Sequence, residues 1–309
     1  MKNWVTFSII VVCLNAGDRL KKTVGSILAQ SCGDYEIIVK DGLSADGCLD
    51  GLPEDAKGRI RVFREGDTGI YDGMNQALRH VRGEFVYFLN CGDFFYDKDV
   101  LRRVKEQIEK AEGRENRERE SLEGEISGRE VPKRKIPERK IPERKMLEGE
   151  TPGRCRYIFY GDIMEHLTGE RVASNPSMDA FGCYRNVPCH QACFYQAELM
   201  EEKGFEVKYR VRADYEHFLW CFFKGKAKTV YMPFVIADYE GGGFSETKEN
   251  RKVSATEHRE IVEKYMSKGQ VWKYRLILFF TLSRVRTWLA GNPATAHIYQ
   301  SMKRRVYGK

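Results

Sequence analysis

Three acidic residues stand where the sequence turns from apolar to polar. In VYFLNCGDFF, residues 86–95, an apolar run fit for a strand with two dry faces ends in Asn90, Cys91, Gly92 and Asp93. In IIVKDGLSADG, residues 37–47, a second run ends in Asp41, with Ser44 and Asp46 close behind. In RADYEHFL, residues 212–219, Asp214 opens a helical pattern. A carboxylate at a strand end can accept a hydrogen bond from a ring N–H. One or two carboxylates together with phosphate oxygens suit Mg2+ or Mn2+, and a carboxylate facing an alcohol can take its proton. Each position also has a plainer use. Asp41, Gly42, Ser44 and Asp46 have the chemistry of turns, Asp93 can cap the residues after it, and Asp214 can cap its helix.

An alternation of strand and helix must position these groups. Val5 to Leu14 is a β-branched run, followed by Asp18 as a cap for a helix in which Leu20, Val24, Ile27 and Leu28 recur at helical spacing. Strands are predicted at Tyr35 to Val39, Arg59 to Phe63 and Glu84 to Leu89, and a helix over Gly69 to Val81. This order implies a largely parallel sheet with covered faces, and in such sheets ligands sit beyond the carboxyl ends of the strands. Asn15, Asp41 and Asp93 each stand just past such an end. Further on, the pattern predicts a helix over Asp99 to Glu112, a strand at Tyr157 to Gly161, a helix over Arg212 to Phe223 and a strand at Thr229 to Ala237. Between the last two strands a loop carries Pro188, Cys189, His190 and Gln191. The dinucleotide and P-loop glycine fingerprints are both absent.

A chain of 309 residues with 42% hydrophobic content can bury a large core, which excludes fibrous and wholly disordered classes. Nine cysteines, an odd number with no CxxC pair, argue for reduced thiols and a cytoplasmic setting. The group Cys183, Cys189, His190 and Cys193 fits no common zinc spacing. No signal peptide is visible in MKNWVTFSII. Residues 113–154 are rich in Glu, Arg and Lys, contain no aromatic residue and carry the near-repeats VPKRK, IPERK and IPERK. They offer little apolar area against the entropy of ordering and read as an unstructured insertion in a domain spanning residues 1–250. Residues 251–309 form a basic helical segment. From Lys264 to Lys309 there is no acidic residue, and ten Lys and Arg there account for the whole net charge of +7. Aromatic and aliphatic residues from Val271 to Ala290, flanked by these cations, suit a helix lying on the anionic inner face of a membrane or, equally, one packed on the domain.

Taken together, SIIVVCLN, IIVKDGLSADG, EGDTGIYDGMNQAL leading to GEFVYFLNCGD, and CHQACF with RADYEHFL resemble the family 2 glycosyltransferases. Among these, the resemblance is to bacterial enzymes of polysaccharide and lipopolysaccharide assembly, and it covers Phe7 to about Ser245 apart from the insertion. It implies a GT-A, Rossmann-like fold: an α/β domain with a mixed, mostly parallel central sheet and helices on both faces. It implies an inverting transfer of sugar from a nucleoside diphosphate, foremost UDP, to a hydroxyl of a saccharide or lipid-linked acceptor, assisted by Mn2+ or Mg2+. By the resemblance Asp41 holds the nucleotide base, with Asn15, Ser44 and Asp46 near it. Asp72 and Asn75 line the nucleotide site, with Asn90 and Gly92 beside the metal ligand Asp93. His190 and Gln191 lie near the diphosphate and acceptor, and Asp214 is the base. The chain departs from the common pattern at Gly92, where an acid reaching the ribose is usual, at Ala213 in place of Glu, and at Met74 in place of Arg. Two rival readings remain beside it. A sugar nucleotidyltransferase would need a glycine-rich basic loop after the first strand, where LNAGDRLKK has only late lysines, and the other rival is a non-catalytic adaptor keeping the fold. Nothing resembles a nucleic-acid-binding motif.

Overall fold

The computed structural model describes residues 5–53, 58–127, 155–240 and 247–280. In chain order the elements are β1 (Val5–Cys13), α1 (Asp18–Leu28), β2 (Tyr35–Asp41), β3 (Ile60–Arg64), α2 (Ile70–Leu78), β4 (Gly83–Phe88), β5 (Phe94–Phe95) and α3 (Val100–Ser127). They continue as β6 (Tyr157–Glu165), β7 (Glu170–Val172), α4 (Ala180–Arg185), a 3-10 turn (His190–Ala192), β8 (Cys193–Gln196), α5 (Ala197–Glu202), α6 (Ala213–Phe223), β9 (Lys228–Tyr239), α7 (Lys248–Tyr265) and α8 (Lys268–Phe280).

One mixed sheet runs in the order β3-β2-β1-β4-β8-β6-β9-β5, with β7 paired to β6. Its first four strands are parallel, with Ile10 opposite both Ile38 and Phe88. β8 then enters antiparallel between β4 and β6, with Tyr195 opposite Val86 and Ile158. The period-2 alternation of strands divides the apolar residues between two layers. Phe7, Ile9 and Val11 of β1 pack with Leu20, Val24 and Ile27 of α1 and Leu101 and Val104 of α3. Ile10 faces the other way, towards Met74 and Ala77 of α2, Phe218 of α6 and Ile261 of α7. Both faces of the sheet are therefore dry, as the unbroken apolar runs require.

Three findings refine the sequence expectations. Gly17 rather than Asp18 occupies the N-cap of α1, and its N–H is held by Asp46 Oδ2 at 2.7 Å. α3 runs on to Ser127, so residues 113–127 extend the helix expected to stop at Glu112. Glu115 supplies the reason: its carboxylate accepts from Cys155 N at 3.0 Å and Tyr157 Oη at 2.9 Å, anchoring α3 to the start of β6. The rest of the expected insertion, residues 128–154, lies outside the described residues. At the other end, α7 and α8 lie against the domain. Buried Tyr274 of α8 meets Phe181 and Tyr184 of α4 at ring separations of 5.2 and 5.3 Å. The opposite side of α8 leaves Trp272, Phe279 and Phe280 exposed, and residues 281–309 lie outside the description. Among the described residues no helix is long and apolar enough to cross a membrane.

Candidate active site

The loops after β1, β2 and β4 converge at one edge of the sheet. Asp41 closes β2 fully buried, with both oxygens accepting from Ser44 N at 3.2 and 3.1 Å and Oδ2 from Arg64 Nε at 3.0 Å. Burial works against its charge, but the bonds from Ser44, Arg64 and Cys13 hold the carboxyl below the usual range. Ser44 Oγ accepts from Asn15 N at 2.8 Å, and Asn15 Oδ1 accepts from Ala45 N at 2.9 Å. Asn15 sits at φ 50°, one of the few non-glycine residues in the left-handed region. Asn15, Asp41 and Ser44 thus form one hydrogen-bonded cluster, and Asp46, accepting from Gly17 N, ties the same β1 and β2 loops together. Lys40, buried beside them, bonds Glu65 O at 2.6 Å and Asp67 Oδ2 at 3.0 Å, which fixes the approach to α2.

A cavity of about 810 Å3 opens beyond the end of β4, lined among others by Asn90, Asp93, His190, Gln191, Asp214 and Glu240. Asp93 is buried, and its Oδ2 accepts from Gln191 Nε2 at 3.0 Å and its Oδ1 from Glu240 N at 3.1 Å. Burial pushes its carboxyl above the usual range, and these two donors with His190 only partly offset that. Asp214 lies in the first turn of α6, its Oδ1 2.9 Å from Tyr71 Oη and its Oδ2 3.4 Å from His190 Nδ1. Here burial again opposes the charge, but the His190 ring, the Tyr215 N–H and the Tyr71 hydroxyl outweigh it and keep the carboxyl below the usual range. Asn90 Nδ2 stands 3.1 Å from His190 Nε2, so Nε2 accepts and Nδ1 carries the proton that faces Asp214. The adjacent residues His190 and Gln191 therefore span the two carboxylates, one contact each.

Asp93, Glu240 and Asn90, all with oxygen-bearing side chains, line the cavity together; Glu240's charge bears on Asp93, and Asn90 Oδ1 is buried without a partner. Such a set fits a hard divalent cation that takes its remaining ligands from phosphates and water. Gly92 has φ 104°, donates its N–H to Thr23 Oγ1 at 3.0 Å, and leaves room for Glu240 Oε2, which would stand 2.3 Å from any Cβ there. The space that a side chain at residue 92 would fill is thus taken by a carboxylate from just past the end of β9.

Two residues expected in the nucleotide site are engaged elsewhere. Asp72 Oδ2 accepts from Thr68 N at 2.8 Å and Thr68 Oγ1 at 3.0 Å, tightening the entry to α2. Asn75 exchanges two 2.8 Å bonds with the Phe205 backbone. Their neighbours Ile70 and Tyr71 line the cavity instead. Tyr71, Glu240 and Arg19 escape a sequence reading. For Tyr71 the only signal is its place inside the motif GIYDGMN.

Residues 8–114 match the family described as Glycosyl transferase family 2. A PGL/p-HBAD biosynthesis glycosyltransferase of Mycobacterium bovis (strain BCG / Pasteur 1173P2) is 29% identical over 91% of this chain and 90% of its own length. Among solved structures, S. aureus TarS 1-349 in complex with UDP superposes with a TM-score of 0.57 at 14% identity, covering 93% of this chain and 75% of that one. In a second structure of TarS 1-349 the match spans 60% of the solved chain. The mannosyltransferase PcManGT from Pyrobaculum calidifontis in complex with GDP-Man and Mn2+ gives a TM-score of 0.55 at 13% identity, covering 99% and 76%. At these identities the shared property is the fold.

Proposed function

We propose that this chain is a glycosyltransferase of family 2 that transfers a sugar, with inversion, from a nucleoside diphosphate to a hydroxyl of a saccharide or lipid-linked acceptor in cell-surface polysaccharide synthesis; the family match over residues 8–114, the mycobacterial relative and the shared fold support this reading. The observation that carries this reading is the pairing of Asp93 and Asp214 across one cavity through Gln191 and His190. UDP is the favoured nucleotide, since TarS binds UDP and UDP-GlcNAc, while the GDP-Man complex of PcManGT marks the alternative.

In this reading Asp41, held by Ser44 and Arg64, accepts from a ring N–H of the base, and Asn15, Ser44 and Asp46 shape the pocket around it. Asp93, with Glu240 and the unpartnered oxygen of Asn90, would hold Mn2+ or Mg2+. The cation supplies Lewis-acid stabilisation of the departing diphosphate. Arg19, which lines the cavity beside Glu240, adds a positive charge there that Met74 cannot. Asp214 takes the proton of the acceptor hydroxyl as the new bond forms. Its lowered pKa keeps it ionised at neutral pH, and Tyr71 and His190 fix its two oxygens so that one edge is presented to the acceptor. A weakly held peripheral location at an anionic membrane face, through the exposed aromatics of α8, belongs to the same proposal.

The test is Asp214→Asn. Transfer should fall by at least about a hundredfold, the scale of general-base catalysis, while UDP binding in Mn2+ stays within about twofold. An Asn variant with near-normal transfer removes Asp214 from the role of base.

A further inference from the structure

The lining of the cavity divides by chemistry. Towards Asp93 it carries Glu240 and Arg19, the donor side of the proposed reaction. The remainder is built from the segment after β7, the end of α4 and the residues that follow it, the residues leading into α6, and Ser254 of α7. Apart from Asp214, this second wall contains no carboxylate, yet it presents the guanidinium groups of Arg185, Arg210 and Arg212 and the amides of Asn175 and Asn186.

Several arginines of the domain are matched with acids: Arg61 with Glu36, Arg64 with Asp41, Arg156 with Glu202 and Arg171 with Asp162. Arg185 and Arg212 have no ion pair among the described residues. Arg212 donates from Nε to Ser254 Oγ at 2.7 Å and lies over the Tyr215 ring at 5.3 Å, so its orientation is set while its outer nitrogens have no carboxylate among the described residues. Arg185, exposed at the last turn of α4, lies over the Phe181 ring at 5.9 Å. Two cations held by aromatic faces and a hydroxyl, lining the same cavity as Asp214 and without counter-ions among the described residues, form a wall that suits planar or tetrahedral oxyanions, where Arg gives two parallel hydrogen bonds.

We propose that this wall binds an anionic group on the acceptor, a carboxylate or a phosphate ester carried by the saccharide that receives the sugar. The inference rests on the glycosyltransferase reading for the word acceptor, but the binding preference itself is testable without any transfer. Arg212 lies two positions before Asp214, so an anion that it grips is held on the same wall as the hydroxyl to be deprotonated.

The experiment titrates the full chain, saturated with UDP and Mn2+, with three probes: a methyl hexoside, the corresponding methyl hexuronoside, and the hexose 6-phosphate. At least one charged probe should bind about tenfold or more tightly than the neutral one, the scale of a charge-assisted pair. Arg185→Gln and Arg212→Gln should each reduce that preference and leave the affinity for the methyl hexoside unchanged. The uronoside and the phosphate arms tell a uronic acid from a phosphate ester. Equal binding of charged and neutral probes, or a preference that survives the double substitution, overturns the proposal. Hydrolysis of UDP-sugars in Mn2+ by the wild-type chain is read in parallel. If hydrolysis is present and the charge preference is missing, only this inference fails; if hydrolysis is missing, the donor reading fails, while the charge preference is still decided by the titration.

Discussion

At Gly92 the chain takes a conformation open to glycine, and the space that a side chain would fill is held by the carboxylate of Glu240. An alanine there would meet both a left-handed backbone and a carboxylate oxygen, so residue 92 stays glycine for as long as Glu240 takes this position. Glu240→Gln is expected to weaken Mn2+-dependent UDP binding roughly three- to tenfold while Asp93 retains the remainder. Melting temperatures with UDP, with and without Mn2+, check this, and an unaltered Mn2+-dependent rise would detach Glu240 from the metal. Asp41, Asp93 and Asp214 were legible because each follows or opens a hydrophobic pattern that fixes where the side chain must emerge. Glu240 and Tyr71 were not, because their contacts with Asp93 and Asp214 join residues 147 and 143 positions apart, and no local pattern encodes such a meeting.

At the level of elements, α7 does more than cover the sheet. Glu257 accepts from the backbone N–H groups of Arg210, Val211 and Arg212 at 2.7, 3.1 and 2.9 Å, gathering the chain just before α6. Glu216, fully buried in α6, is surrounded by Lys203, Lys264 and Tyr265, so the charge is fully partnered and locks α6 to α7. Glu257→Ala leaves three N–H groups unpaired and should cost about 1 to 3 kcal/mol of stability. It should also depress the transfer rate more than UDP binding, because α6 carries Asp214 and not the nucleotide cluster. Chemical denaturation and steady-state kinetics separate the two effects, and a loss confined to UDP affinity would contradict the assignment. The strands β1, β2, β4, β6 and β9 and helices α1, α2 and α6 were readable from periodicity. β8 was not: CFYQ is four residues long, and only its place between β4 and β6 makes it a strand. α3 outran its apolar pattern because Glu115 finds partners in a strand 40 residues away.

For the molecule as a whole, α8 presents two faces with different tasks. Val271 and Tyr274 are buried, while Trp272, Phe279 and Phe280 are 66%, 73% and 75% exposed at the start of a chain segment with no acidic residue. The sequence offered a packed helix and a membrane-surface helix as alternatives, and the fold makes the first true of one face without cancelling the second for the other. Replacing Trp272, Phe279 and Phe280 together by Ser should reduce sedimentation with vesicles rich in anionic lipid and leave the melting temperature within a few degrees. Unchanged sedimentation would reject a role for this face at the bilayer.

The change of strand direction between β4 and β8 has a consequence for how such a protein can diversify. The groups up to Asp93 follow the strands of the parallel ladder, whereas Arg185, Arg212 and Asp214 lie on the segments around antiparallel β8, with His190 and Gln191 bridging the two sets. On the proposed reading, substitutions around Arg185 and Arg212 can retune which alcohol is welcomed while Asp41, Asp93 and Glu240 go on reading the same activated sugar, so acceptor choice can drift with the donor machinery inherited intact.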